Sequence, residues 1–170
     1  YSYDSNIARA QYVMYALHAL NTGIIIANKN GRNLARFVTD FKRKSPGTKI
    51  RLMGHSLGAH VILSTIKNLA KNAKNVGILE AVYFFGASIP SDALSTRNGS
   101  AAQKIVATKI RNYYSQYDDV LRVADDWNWL VTPIGYRGAY GKTISKYSQT
   151  MVKPKNHRFA SYAAVLRSFP

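Results

Sequence analysis

A short apolar stretch, Lys49–Met53, runs directly into Gly54-His55-Ser56-Leu57-Gly58, and a helical pattern takes over from Ala59. This G-x-S-x-G sequence between a strand and a helix constrains the fold more than any other feature. Glycines at its two ends let the strand and helix backbones approach closely, and the serine between them is held on a sharp, strained turn. The pentapeptide alone recurs by chance, so its weight comes from the flanking strand and helix. Its plain alternative is a strand–helix turn without chemistry.

The surrounding pattern alternates helix and strand. Ile7, Ala10, Val13, Met14, Leu17 and Leu20 recur at helical spacing, predicting a helix over 5–28 with Asp4 or Ser5 as its cap. Asn21-Thr22-Gly23 is a candidate break, and Ile24–Ile26 is a weaker candidate strand. A second helix is predicted over 33–44, with Leu34, Phe37, Val38 and Phe41 inward and Ser45-Pro46-Gly47 as its stop. After the pentapeptide a helix extends from Ala59 to Lys71. Ile78–Phe85 is rich in β-branched and aromatic residues and reads as a buried strand. Ala101–Ala107 suits a short helix and Lys109–Tyr114 a third strand. Between 127 and 156 no period is clear, although Thr143–Tyr147 is a candidate strand; Phe159–Leu166 reads as a closing helix. Strands alternating with helices predict an α/β fold, a mainly parallel sheet covered by helices on both faces. At 170 residues, with 46% apolar residues, the expectation is a single domain over 1–170, with 1–28 as an N-terminal helical segment.

A serine hydroxyl needs a base, commonly a histidine oriented by a carboxylate, and in this kind of fold the order along the chain is Ser, acid, His. The chain has 4 histidines. His55 and His60 flank Ser56 too closely to fold back onto it, and His18 precedes it. That leaves His157 as the base, against its alternative as a surface histidine in the basic loop Lys153-Pro154-Lys155-Asn156. The acid belongs just past a strand end, where Lys109–Tyr114 leads to Asp118 and Asp119. Both qualify, and Asp119 also suits a helix N-terminus over Val120–Ala124. A Ca²⁺ site on Asp118, Asp119, Asp125 and Asp126 is a rival use of these acids, but their spacing matches no known loop motif. One oxyanion donor is expected from the backbone N–H of Leu57. The second normally comes from a loop after an earlier strand, and no such loop is visible before Lys49.

Gly54-His55-Ser56-Leu57-Gly58-Ala59-His60 resembles the elbow of neutral lipases, and 30–90 resembles a lipase-type α/β-hydrolase. The likeness is closer to the uncharacterised α/β-hydrolase family typified by transmembrane and coiled-coil domain proteins. Ile50–Met53, Ser56–Ile62 and Val82–Ala87 carry it. It continues through Asn112-Tyr113-Tyr114-Ser115-Gln116-Tyr117-Asp118, where relatives have a Tyr-Ser-x-x-Asp step, and weakly to His157 and Tyr162. The resemblance implies Asp118 rather than Asp119 as the acid, and an esterase- or lipase-like activity on an α/β-hydrolase fold reduced at its N-terminus. It also implies a hydrophobic helical segment before the elbow.

Lys and Arg total 24 against 8 acids, a net charge of +16, with Glu80 the sole glutamate. Such a chain suits anionic partners, an acidic membrane surface among them. Nucleic acid is a weaker expectation, since the basic residues are spread and no nucleic-acid motif is present. The expected substrate is an ester or lipid, cleaved by Ser56, His157 and Asp118 without cofactor or metal. Loops 88–108 and 127–150, with Trp127, Trp129 and Tyr136, would wall the acyl site. The alternative is a non-catalytic hydrolase fold that binds or assembles. There are no cysteines, hence no disulfides. No apolar run approaches the ~20 residues of a membrane span. No signal peptide is recognisable, and a start at Tyr1 suggests a processed or trimmed N-terminus. Compartment and oligomeric state stay open.

Overall fold

The computed structural model of the chain describes residues 2–126, 132–168 and 170, and for 2–10, 12, 13, 16, 17 and 126 the backbone alone. Four strands, β1 (Arg51–His55), β2 (Leu79–Phe85), β3 (Val106–Tyr114) and β4 (Tyr147–Met151), form one sheet in the order β1-β2-β3-β4. Every neighbouring pair is parallel, with Met53 beside Tyr83, Tyr83 beside Arg111 and Arg111 beside Ser148. Parallel strands need crossovers, and helices supply them. They are α2 (Gly58–Leu69) after β1, α3 (Ser100–Ile105) after β2, and α4 (Asp119–Asp126) with α5 (Ile134–Arg137) after β3. Helix α6 (Phe159–Ala164) follows β4. The fold is α/β, a parallel sheet flanked by helices.

Alternation along β2 divides the core. Val82 and Phe84 face Ile62 and Ile66 of α2, together with Ile105, Ile110 and Leu94, in the larger apolar cluster. Ala81, Tyr83 and Phe85 face the other way and meet Tyr162 of α6. The two faces are not equally covered, contrary to the expectation from the strand–helix alternation. The second face has α6 at one end, and Met53 on it is 44% exposed.

The largest departure from the sequence expectation is at the N-terminal end. In place of two helices over 5–28 and 33–44, one helix, α1 (Ser2–Lys44), runs without interruption. Neither Asn21-Thr22-Gly23 nor Asn30-Gly31 breaks it, and Ile24–Ile26 is helical. The glycines are there for packing. A Cβ on Gly31 would lie 2.4 Å from the Ser64 Cβ, and one on Gly23 would lie 2.8 Å from a Leu57 methyl. The Ser64 hydroxyl donates to the Asn28 carbonyl at 2.9 Å, and the Thr65 hydroxyl to the Gly31 carbonyl at 3.2 Å. These contacts advance together along both chains, so α1 and α2 lie parallel and close. The expected cap at Asp4 or Ser5 falls outside the described side chains. At 1.5 Å per residue α1 is about 65 Å long and α2 about 18 Å, so α1 outreaches its partner.

Candidate Ser-His-Asp site

Each member of the site stands just past the carboxyl end of a strand: Ser56 after β1, Asp118 after β3 and His157 after β4. Ser56 has φ of +51°, the one non-glycine with positive φ among the described residues. Such a backbone is costly for an L-residue and persists only where its surroundings hold it. Here the Ser56 N–H donates to the Phe85 carbonyl at 3.2 Å, and the Ser56 carbonyl accepts from Ala59 N–H at 3.1 Å and Ser88 N–H at 3.3 Å. Gly54 permits the turn, because a Cβ there would lie 2.8 Å from an Ile62 methyl and 3.1 Å from the Ala59 nitrogen. Gly58 does not behave as the motif suggests. It faces open space and has an ordinary φ, so close approach does not demand glycine there.

The Ser56 Oγ lies 2.8 Å from His157 Nε2, and His157 Nδ1 lies 2.7 Å from Asp118 Oδ2. A carboxylate only accepts, so the Nδ1 carries the proton and Nε2 is left to accept from the serine hydroxyl. Asp118 is 1% exposed, and its carboxylate takes two more donors. The Tyr162 hydroxyl donates to Oδ2 at 2.6 Å and the Leu121 N–H to Oδ1 at 3.2 Å. Burial pushes the Asp118 carboxyl up, but hydrogen bonds from His157, Tyr162 and Leu121 and the nearby imidazole outweigh it, so the group titrates below its ordinary value. Burial and the Asp118 charge push the Tyr162 phenol up, keeping it a donor. Gly86, with φ of +49°, makes room for that phenol; a Cβ there would lie 2.7 Å from its oxygen.

Asp119, the other candidate acid, is placed elsewhere. Its side chain is 86% exposed and pairs with Arg122 at 3.4 Å in the first turn of α4. Asp125 pairs with Arg137 at 3.0 Å. Among the described residues no group of three or more His, Asp or Glu converges, and Asp118, Asp119 and Asp125 each engage a different partner. The N–H of Leu57 has no acceptor among the described residues, as an oxyanion donor requires. Tyr136 is buried on α5 with the Arg137 guanidinium over its ring, while Trp127 and Trp129 lie outside the described residues.

Three residues contribute contacts beyond those expected of them. Tyr162 is one. Ser88 is another: its Oγ is buried without a partner, beside the elbow its N–H supports. The third is His55, whose Nε2–H donates to the His157 carbonyl at 2.5 Å with the two rings 4.8 Å apart. His60 likewise donates from Nε2 to the Ser88 carbonyl at 3.3 Å. All three contacts join residues distant in sequence, and no local pattern signals them.

Burial is the main force lowering the His55 imidazole, helped by the His157 charge; for His60 it is burial again, helped by Lys67. Both therefore titrate below the ordinary 6.5 in the folded chain. Below that value the unfolded chain binds more protons at these sites, so acidification destabilises the fold. The midpoint of thermal unfolding should fall between about pH 7 and about pH 5.5, and replacing both histidines with glutamine should flatten that part of the profile.

Residues 14–126 match the family described as "Protein of unknown function (DUF726)". This α/β chain, in which Ser56, His157 and Asp118 are in hydrogen-bond contact, belongs to that family. It is 33% identical over 97 residues to a transmembrane and coiled-coil domain-containing protein of Oryza sativa subsp. japonica, covering 57% of this chain and 14% of that protein. It is 34% identical over 73 residues to an uncharacterized membrane protein of Caenorhabditis elegans, covering 43% of this chain and 11% of that protein. The matches thus span a small part of either relative. No solved structure matches. No helix among the described residues is long and apolar enough to cross a membrane.

Proposed function

We propose that the chain is a serine hydrolase of the α/β-hydrolase kind that cleaves carboxylic esters. One observation carries the reading: Ser56, on a strained turn, lies 2.8 Å from an imidazole nitrogen whose opposite nitrogen is held 2.7 Å from a buried carboxylate. A relay of this geometry removes a proton from the hydroxyl as it attacks. Ser56 Oγ bonds to the acyl carbon, and its proton passes to His157 Nε2. The Asp118 carboxylate stabilises the imidazolium. The imidazolium returns the proton to the leaving alkoxide as the C–O bond breaks. Water, deprotonated by the same nitrogen, then hydrolyses the acyl-serine, restoring Ser56 and releasing the acid. The Leu57 N–H receives the charge developing on the carbonyl oxygen. The two relatives bear the words "membrane" and "transmembrane" in their names, which favours an ester drawn from lipid as the substrate class.

Ser88 braces the elbow in this scheme: its N–H holds the Ser56 carbonyl, while its hydroxyl is buried without a partner. An unpaired buried hydroxyl costs stability, so Ser88→Ala should leave the melting temperature unchanged or raised. A lower melting temperature would show that the hydroxyl contributes to packing.

The test of the reading is covalent. A fluorophosphonate phosphonylates only an activated hydroxyl, and peptide mapping should place the adduct on Ser56. A folded chain that takes up no label would make the fold a binding module, and the hydrolase reading would fail.

A further inference from the structure

A buried phenol needs an acceptor, and any carbonyl would serve. Tyr162, fully buried on α6, takes instead the one oxygen that orients the base. Its hydroxyl lies 2.6 Å from Asp118 Oδ2, and His157 Nδ1 lies 2.7 Å from the same atom. The other oxygen, Oδ1, receives the Leu121 N–H at 3.2 Å.

The surroundings hold this sharing in place. The Tyr162 ring is packed among Ala81, Tyr83 and Phe85. Asn156, the residue before the base, braces the start of α6: its Oδ1 accepts from the Arg158 N–H at 3.0 Å and from the Ser161 hydroxyl at 2.7 Å. His55 holds the His157 carbonyl from the end of β1. Base and phenol are thus carried by one braced segment, and both close on one carboxylate.

Two donors on one oxygen share its charge. What the phenol draws is withdrawn from the imidazolium that forms when His157 takes a proton, so the ring binds that proton less tightly. A general base must be neutral to accept, and a ring that stays neutral to lower pH remains a base over a wider range. Among the described residues the titratable groups grouped around His157 are Asp118 after β3, Tyr162 of α6 acting through it, and His55 at the end of β1. From α4 the contribution is the Leu121 N–H, since Asp119 and Arg122 pair with each other at the surface.

We propose that Tyr162 is a positioning residue that sets the proton affinity of His157 through the Asp118 oxygen they share, keeping the ring neutral to lower pH than the His–Asp pair alone would. The use of this setting in ester cleavage rests on the hydrolase reading; the setting itself does not.

Two readouts test it: the pH dependence of the fluorophosphonate labelling rate, and an NMR titration of the His157 ring, which needs no turnover. Tyr162→Phe removes the competing donor and should move both midpoints up by about half a pH unit to one pH unit. A fluorinated tyrosine placed at 162 is a stronger donor and should move them down; it also decides the matter if the phenylalanine variant does not fold. The upward move should persist in a His55→Gln background, whose amide can still donate to the His157 carbonyl. A merely structural tyrosine would lower the melting temperature and the plateau rate and leave the midpoints in place, which would overturn the proposal. So would a fluorotyrosine chain whose NMR midpoint rises or stays. A shifted NMR midpoint in a chain that never labels would keep the coupling and reject the hydrolase.

Discussion

Ser56→Ala should end fluorophosphonate labelling and lower ester turnover by about 10⁴- to 10⁶-fold, with little change in stability. The size follows from what the substitution removes. It deletes the oxygen that forms the acyl bond, and with it the acceptor–donor pair that ties His157 to the elbow. What stays is the environment: the Leu57 N–H and the walls of the site, which supply only the residual rate of a serineless pocket. Stability should hold because the Ser56 backbone is held by Phe85, Ala59 and Ser88, not by its hydroxyl. Alanine tolerates positive φ poorly, but serine is no better suited to it, so that strain is common to both. Circular dichroism and the melting temperature are the controls. A variant that keeps its esterase activity would refute the mechanism.

Asp118→Asn should cost about 10⁴-fold in turnover and, unlike Ser56→Ala, should also destabilise the fold. The carboxylate accepts on both oxygens: His157 and Tyr162 donate to Oδ2, and Leu121 N–H donates to Oδ1. An amide has one oxygen. If it faces His157 and Tyr162, its NH₂ points at the Leu121 N–H. If it faces Leu121, its NH₂ points at two donors, and His157 escapes only by moving its proton to Nε2. That tautomer can no longer accept from Ser56. Leaving one buried donor without an acceptor costs about 1–3 kcal/mol, read as a lower melting temperature. The same substitution at Asp119, exposed and paired with Arg122, should change neither quantity.

The parts of the fold legible in the sequence are those with a local cause. β2 is apolar throughout Ala81–Phe85 because both faces are buried there, and β1 and β3 lie close to where their apolar residues place them. The elbow carries its own signature, and the order along the chain narrows the base to His157. The parts that were not legible depend on partners far away. Gly23 and Gly31 look like helix breakers until α2 is seen pressed against them. β4 was expected near 143–147 and lies at Tyr147–Met151, because an exposed strand paired on one side has little apolar pattern to display. The choice between Asp118 and Asp119 rested on resemblance alone. In the structure, burial and three hydrogen bonds separate two adjacent, chemically identical side chains. The bond from His55 to the His157 carbonyl bridges 102 positions, a separation at which sequence pattern says nothing.

During synthesis Ser56 leaves the ribosome 101 residues ahead of His157. A nascent chain finished through β3 holds a serine with no proton acceptor and a carboxylate lacking both His157 and Tyr162. Those two residues arrive together, in the loop before α6 and in α6 itself, and both close on Asp118 Oδ2. Under the proposed mechanism the hydroxyl would stay latent until the helix at one end of the second face has been made and has docked. Completion of the fold and activation of the proposed nucleophile would then be one event.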